Sequence, residues 1–232
     1  MSARATEVLF LPGMDGDARL RGELLSTLAA VHPARGVGYP NRKLGSLEGY
    51  WRHVASQVAP DSRPVVIAES FSGIVAARWA ANDPRVAGLL LCGAFARNPA
   101  PFAVRFGASM PSLARFVGLR LGGTRGQGWT GDLVAAIRAL HADVIGERLR
   151  LIAREDVGPD LSALRIPLVL VQFEDDGIVR GPARRHLEQV CHNARIMRLP
   201  GPHFALETRP LECGRAIAEC LAPFFGGARQ DA

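Results

Sequence analysis

Between residues 64 and 81 a strand pattern gives way to a helix pattern within a few residues, and few folds accommodate so abrupt a change. Pro64-Val65-Val66-Ile67-Ala68 is an apolar run of strand length, and Gly73-Ile74-Val75-Ala76-Ala77-Arg78-Trp79-Ala80-Ala81 is a run of small and apolar residues suited to a helix. Ser70 stands between them. A serine on so sharp a strand-to-helix turn is forced into a strained backbone conformation, with its hydroxyl held clear of the sheet. Only small side chains fit two positions to either side, and here they are Ala68 and Ser72, followed by Gly73. The same residues admit a plainer reading, in which Ser70 is the N-cap of an ordinary helix.

The rest of the chain has the same rhythm. Val8-Leu9-Phe10-Leu11 runs into Pro12-Gly13-Met14-Asp15-Gly16, followed by a helix-like stretch from about Ala18 to Val31. Pro167 to Phe173 runs into the acid turn Glu174-Asp175-Asp176-Gly177, and Arg195 to Leu199 runs into Gly201-Pro202-His203-Phe204. Strands are expected near 7–11, 34–39, 64–68, 86–92, 167–173 and 194–199, and helices near 18–31, 46–59, 71–82, 181–191 and 209–223. This alternation predicts an α/β chain: a mostly parallel twisted sheet of about six strands flanked by helices. In such sheets chemistry collects beyond the carboxyl ends of the strands. Ser70, the acid turn and His203 all fall there. His32, His53, His141, His186 and His192 sit on expected helices or at their ends, so His203 is the histidine placed to act as a base. A serine hydroxyl needs such a base within hydrogen-bond reach, and the base needs a carboxylate, for which Glu174, Asp175 and Asp176 are candidates.

Serine, acid and histidine in that order, each after a strand, resemble the α/β-hydrolases. Four stretches carry the resemblance over nearly the whole chain: Leu11-Pro12-Gly13-Met14-Asp15-Gly16, Ala68-Glu69-Ser70-Phe71-Ser72-Gly73, Asp176-Gly177-Ile178-Val179 and Gly201-Pro202-His203-Phe204. The chain is most similar in tone to small bacterial carboxylesterases, including those that cleave methyl esters of carrier-bound acyl chains. The usual elbow is G-x-S-x-G, relaxed here to small residues, with Ala68 and Ser72 at the two glycine positions, and Pro12 replaces the histidine that usually precedes the oxyanion glycine. The resemblance implies a serine hydrolase of carboxylic esters, without cofactor or metal, acting through Ser70, His203 and an acyl-enzyme. The family pattern places the acid just before x-Ile-Val, which selects Asp176, with Asp175 second. It implies backbone N–H donors at Phe71 and Met14 for the oxyanion, with Asp15 organising their loop. A thioesterase, lyase or acyltransferase could use the same serine, and a non-catalytic receptor could be built on the same scaffold.

The alternation breaks between about Asn98 and Leu161, where no strand pattern occurs. The family places its lid there, which divides the chain into a core of 1–97 and 162–232 and a helical lid of 98–161. Thr130 is a candidate cap for a helix carrying Leu133, Val134, Ile137 and Leu140 on one side. Phe102, Phe106, Met110, Phe116 and Trp129 are candidate substrate-binding residues over an apolar acyl pocket, preferred to plain packing because a surface hairpin needs fewer apolar residues.

Charge is less informative than it first looks. The 232 residues carry a net charge of +6, yet Lys43 is the one lysine and every other base is arginine. No zinc knuckle, helix-turn-helix or interleaving of aromatic and basic residues accompanies the charge, so nucleic acid is not an expected partner. Gly36-Val37-Gly38 lacks the third glycine of a dinucleotide fingerprint. Between Asp83 and Asp132 lie Arg85, Arg97, Arg105, Arg115, Arg120 and Arg125 with no acid among them. They are either a solvated face or an electropositive rim for an anionic substrate or an acidic acyl carrier protein. Cys92, Cys191, Cys213 and Cys220 have no metal spacing. With no signal-peptide pattern at the start and no apolar run of the roughly 20 residues that span a bilayer, the expected setting is cytoplasmic and without disulfides.

Overall fold

A computed structural model describes residues 5–99 and 130–225. The strands are β1 (Glu7–Leu11), β2 (Ala34–Gly36), β3 (Pro64–Glu69), β4 (Gly88–Cys92), β5 (Leu168–Phe173) and β6 (Arg195–Leu199). The helices are α1 (Gly22–Ala29), α2 (Leu47–Ala55), α3 (Ser72–Asn82), α4 (Gly131–Ala139), α5 (Ala142–Arg154), α6 (Gly158–Ala163), α7 (Gly181–Val190), α8 (Ala205–Thr208) and α9 (Pro210–Leu221). The strands form one parallel sheet in the order β2-β1-β3-β4-β5-β6.

Every residue of β3, β4 and β5 is buried. That is why they read as unbroken apolar runs: a parallel sheet is covered on both faces, so neither alternate set of side chains meets water. Leu9, Leu11, Val66, Ala68, Leu89, Leu91, Leu168 and Leu170 face one way, against Tyr50 and Val54 of α2, Ile74 and Trp79 of α3 and Leu187 of α7. Val8, Phe10, Val65, Ile67, Leu90, Cys92, Val169 and Val171 face the other, against Leu24 and Leu28 of α1 and Cys213 and Ile217 of α9. All four cysteines are free and buried. Burial pushes the Cys191 thiol up to about 12 and that of Cys213 to about 11, so both are inert apolar filling rather than nucleophiles. Among the described residues no helix is long and apolar enough to cross a membrane.

Three expected elements are shorter or more broken than their sequence pattern. The strand expected over 34–39 ends at Gly36, because the chain is then drawn toward the loop after β1: the Tyr39 N–H donates to the Gly16 carbonyl at 2.9 Å. Gly38 allows that approach, since a Cβ there would stand 2.8 Å from the Gly16 oxygen. The helix expected from 18 opens as a 3-10 turn, Ala18–Arg21, capped by Asp17, before continuing as α1. The last helix, expected over 209–223, ends at Leu221 and continues as the 3-10 turn Ala222–Phe225; the single turn α8 precedes it, separated from it because Pro210 has no N–H to continue a ladder and Arg209 leaves helical geometry (φ −135°).

The described part of the chain between β4 and β5 contains α4, α5 and α6. Thr130 caps α4, its hydroxyl accepting from the Leu133 N–H at 3.1 Å. Leu133, Ile137, Leu140, Val144 and Ile145 form an apolar cluster with Phe204, and Met14, Leu20 and Ile178 pack against it. These helices therefore rest on the loops beyond the carboxyl edge of the sheet. An antiparallel bridge between Arg97 and Asp156 joins the two ends of the insertion.

Gly73 sits where α3 crosses the end of β4, and a Cβ there would stand 2.6 Å from the Ala94 Cβ. Gly73→Ala should cost about 1–3 kcal/mol of stability through overpacking, outweighing the ~1 kcal/mol preference of a helix for alanine. Denaturant unfolding checks this, and a stabilised variant would refute the close fit of α3 on β4.

Candidate active site

Ser70 is the one non-glycine residue with positive φ among the described residues, at 50°. The strain is held from both sides: the Ser70 N–H donates to the Cys92 carbonyl at 2.9 Å, and the Ser70 carbonyl accepts from the Gly73 N–H at 2.9 Å. Phe71 is already helical (φ −49°, ψ −40°), so α3 begins at once and its positive end lies beside the serine. The plainer reading of Ser70 as a helix N-cap does not describe this turn, since Phe71 holds the N-cap position.

His203 and Asp176 arrive from the ends of β6 and β5. The structure places His203 Nε2 3.0 Å from Ser70 Oγ and His203 Nδ1 2.8 Å from Asp176 Oδ2. Both side chains are buried, and the serine is half-buried. The other oxygen, Asp176 Oδ1, accepts from the N–H groups of Ile178 and Val179, each at 2.8 Å. A carboxylate so satisfied is an acceptor only. Nδ1 of His203 therefore carries a proton, leaving Nε2 free to accept from the serine hydroxyl. Asp175 and Glu174 lie in the same turn, but their backbone N–H groups pair with Gly201 and Leu199 and neither is the histidine's partner. Gly93 makes room for the imidazole: its φ is 53°, and a Cβ there would press within 3.3 Å of His203 Nδ1 and of the Phe173 ring.

The loop after β1 lies against the serine. Gly13 is so near that a Cβ on it would be 3.6 Å from Ser70 Cβ, and the loop closes by a bond from the Gly16 N–H to the Gly13 carbonyl at 3.2 Å. Met14, half-buried, follows Gly13 on this loop, and Phe71 follows the serine on the elbow. Their side of the site is braced by buried polar groups. The Ser72 hydroxyl donates to the Pro12 carbonyl, so it must accept from Tyr39 Oη at 2.6 Å. Arg148, fully buried on α5, donates to the Met14 carbonyl at 2.6 Å and to Tyr50 Oη at 3.2 Å. Asp15 Oδ1 accepts from the Asp17 N–H at 2.8 Å, a bond within the same stretch of chain.

Beneath the serine is a buried ionic cluster. Arg21, fully buried, lies 2.7 Å from Glu69, 3.3 Å from Asp15 and 3.3 Å from Glu207. Glu69 closes an otherwise apolar strand, and nothing in the sequence points to Arg21 as its partner. Burial raises the Glu69 carboxyl above its usual range, and burial likewise pushes Glu207 up to about 7 against the pull of Arg21. The Glu207 carboxylate also meets the Thr130 hydroxyl at the start of α4.

The candidate substrate-binding residues Phe102, Phe106, Met110, Phe116 and Trp129 lie outside the described residues, as do Arg105, Arg115, Arg120 and Arg125. Arg97 is exposed. Arg85 is no part of a rim at the site. It lies before β4, at the opposite edge of the sheet, and is held by Asp83 at 2.7 Å, which lowers the Asp83 carboxyl to about 2. No group of three or more His, Cys, Asp or Glu among the described residues is arranged to hold a metal ion.

No family model and no curated protein matches the sequence. Solved structures do match its shape. An enol-lactonase from Burkholderia xenovorans superposes with a TM-score of 0.71 at 16% identity, covering 97% of this chain and 93% of that one. A hydrolase from Oleispira antarctica gives 0.79 at 14% identity over 98% and 93%. A bromoperoxidase from Bacillus anthracis gives 0.77 at 14% over 94% and 92%. With its parallel six-stranded sheet and helices on both faces, the chain has the α/β-hydrolase fold.

The raised Glu207 carboxyl has a consequence for stability. The folded protein holds this proton more tightly than the unfolded chain does. Its contribution is therefore present at acid pH and lost as pH rises from the ordinary carboxylate range, 4.5, through about 7. Glu207→Gln has no such proton to lose. The wild type should therefore lose thermal stability relative to the variant between about pH 5 and 8, and melting curves that shift in parallel would remove the assignment.

Proposed function

We propose that the protein is a serine hydrolase that cleaves carboxylic esters through Ser70, His203 and Asp176. The observation that carries this reading is the continuous line from Asp176 through His203 to Ser70, with contacts of 2.8 and 3.0 Å, ending on a serine held at φ 50°. A serine that only caps a helix needs neither a base nor a carboxylate behind that base.

In this reading Ser70 Oγ attacks the ester carbonyl carbon while His203 Nε2 takes its proton. Asp176, buried and fixed by two amides of its own turn, keeps the imidazole in the tautomer that can accept and then stabilises the imidazolium. The carbonyl oxygen becomes an oxyanion, for which the backbone N–H groups of Phe71 and Met14 are the assigned donors. Each such donor contributes on the order of 3 kcal/mol to lowering the barrier. His203 then protonates the departing alcohol, an acyl-Ser70 ester remains, and water activated by the same histidine releases the acid. The enol-lactonase and hydrolase neighbours are in keeping with this chemistry, while the bromoperoxidase neighbour is a reminder that the fold alone does not choose it. The apolar residues between 102 and 129 favour a medium-chain acyl group, and the arginines in that stretch favour an anionic or carrier-linked one.

A fluorophosphonate probe tests the nucleophile: adduct mapping should find Ser70 labelled, and labelling elsewhere would falsify the assignment. Asp176→Asn should lower turnover by about ten-thousandfold, since an amide in place of the acid favours the wrong tautomer, whereas Asp175→Asn should change little. The reverse order would move the acid by one residue. A series of p-nitrophenyl esters, with thioesters alongside, reads the acyl pocket. Each added methylene should gain less than about 0.8 kcal/mol, the full transfer value, and a flat profile would remove the medium-chain preference.

A further inference from the structure

One guanidinium touches all three segments that would have to be held in register for the proposed reaction. Arg21 Nη2 is 2.7 Å from Glu69 Oε2 and 3.3 Å from Asp15 Oδ2, and Nη1 is 3.3 Å from Glu207 Oε2. Glu69 immediately precedes Ser70 on the elbow. Asp15 immediately follows Met14 on the loop after β1. Glu207 follows His203 on the segment after β6. The cluster lies against the serine itself: a Cβ placed on Gly13 would be 3.6 Å from Asp15 Oδ2, 3.6 Å from Ser70 Cβ and 3.7 Å from Glu69 Oε2.

We propose that Arg21 is a positioning residue, resting on the reading of Ser70 as an acyl-transfer nucleophile, and that it sets the spacing between the Met14 and Phe71 oxyanion donors by clamping Asp15 to Glu69. The two donors stand on separate segments, and no strand pairing joins the loop at Met14 to the elbow at Phe71. Register between β1 and β3 ends at Leu11 and Ala68, and beyond it the two segments are joined by the Ser72 hydroxyl on the Pro12 carbonyl and by the paired carboxylates with their shared guanidinium. Stability alone is a poor reason for such a cluster, because apolar residues of similar volume commonly serve a buried site as well or better. Both carboxylates meet one nitrogen, Nη2, whose direction is fixed by the planar guanidinium, whereas a lysine ammonium is a point charge on a flexible stem.

Arg21→Lys keeps the charge and loses the rigid planar group that carries Nη2. In the full-length protein it should lower kcat on a p-nitrophenyl ester by about tenfold to a hundredfold, short of or equal to the loss of one oxyanion donor. KM should stay nearly unchanged. Affinity for a boronic acid, which mimics the tetrahedral adduct, should fall by the same factor as kcat, and fluorophosphonate labelling of Ser70 should slow in parallel. If Arg21→Lys melts lower but keeps kcat and boronate affinity at a temperature where it is fully folded, the arginine is structural only and the inference is overturned. Should Arg21→Lys fail to fold, Asp15→Asn gives the same reading. It retains an oxygen for the Asp17 N–H, removes the charge facing Arg21, and should show the same kcat and boronate losses. An active wild type beside unaffected variants ends the positioning role alone. A wild type that hydrolyses no ester or thioester and leaves Ser70 unlabelled ends both this inference and the catalytic reading.

Discussion

The site depends on the double burial of β3. That strand is paired on both sides and covered on both faces, so the chain leaving it has one open direction, upward past the carboxyl edge of the sheet. It must then turn back at once if α3 is to bury Ile74, Val75 and Trp79 on the same sheet. Ser70 takes the whole of that reversal in a single left-handed residue. Such a conformation costs on the order of 1–3 kcal/mol and persists only where the surroundings over-determine it. Here they do, because both neighbouring peptide groups are anchored to well-packed elements. The hydroxyl is pushed into the open as a by-product of core packing.

The partners of Ser70 are placed by the same logic carried outward along the sheet. β5 and β6 end beyond the serine's strand, with β4 between, and β4 is followed at once by Gly93, whose missing side chain leaves space for the histidine ring. Asp176 needs no help from distant residues, since two amides of its own turn hold it. The loop after β1 and the elbow, by contrast, are joined through buried polar groups: Arg21 below, and Ser72 with Tyr39 at the side. Local hydrogen bonds thus set the acid, and long-range buried charge sets the loop.

This difference explains what could be read from sequence. The alternation of apolar runs and helix patterns determines the sheet, and Ser70, His203 and the acid turn from Glu174 to Asp176 announce themselves because each lies directly after such a run. The register of the acid came from the resemblance to a family pattern, since Glu174, Asp175 and Asp176 are indistinguishable by residue type. The Arg21 cluster was not legible. Glu69 and Glu207 are far from Arg21 in sequence, and a buried arginine on a 3-10 turn looks like any surface arginine in a chain so rich in them. Nor was the early end of β2 legible, because Val37 and Tyr39 are both good strand residues; the Val37 N–H still reaches the Phe10 carbonyl of β1, but the Tyr39 N–H turns to Gly16.

Ser72 stands where the usual pattern has a glycine, and its hydroxyl is the middle link between Tyr39 and the Pro12 carbonyl. The chain of donation runs in one direction only, because a carbonyl cannot give a proton. The phenol must therefore point its hydrogen at residue 72 whenever that hydroxyl serves Pro12. A chain with glycine at position 72 would strand a buried phenol and a buried carbonyl together, each at a cost of about 1–3 kcal/mol. A chain with phenylalanine at position 39 would escape half of that cost. Positions 39 and 72 are thus epistatic: what counts as a neutral change at one depends on the residue at the other, and the common glycine is not a harmless reversion in this background.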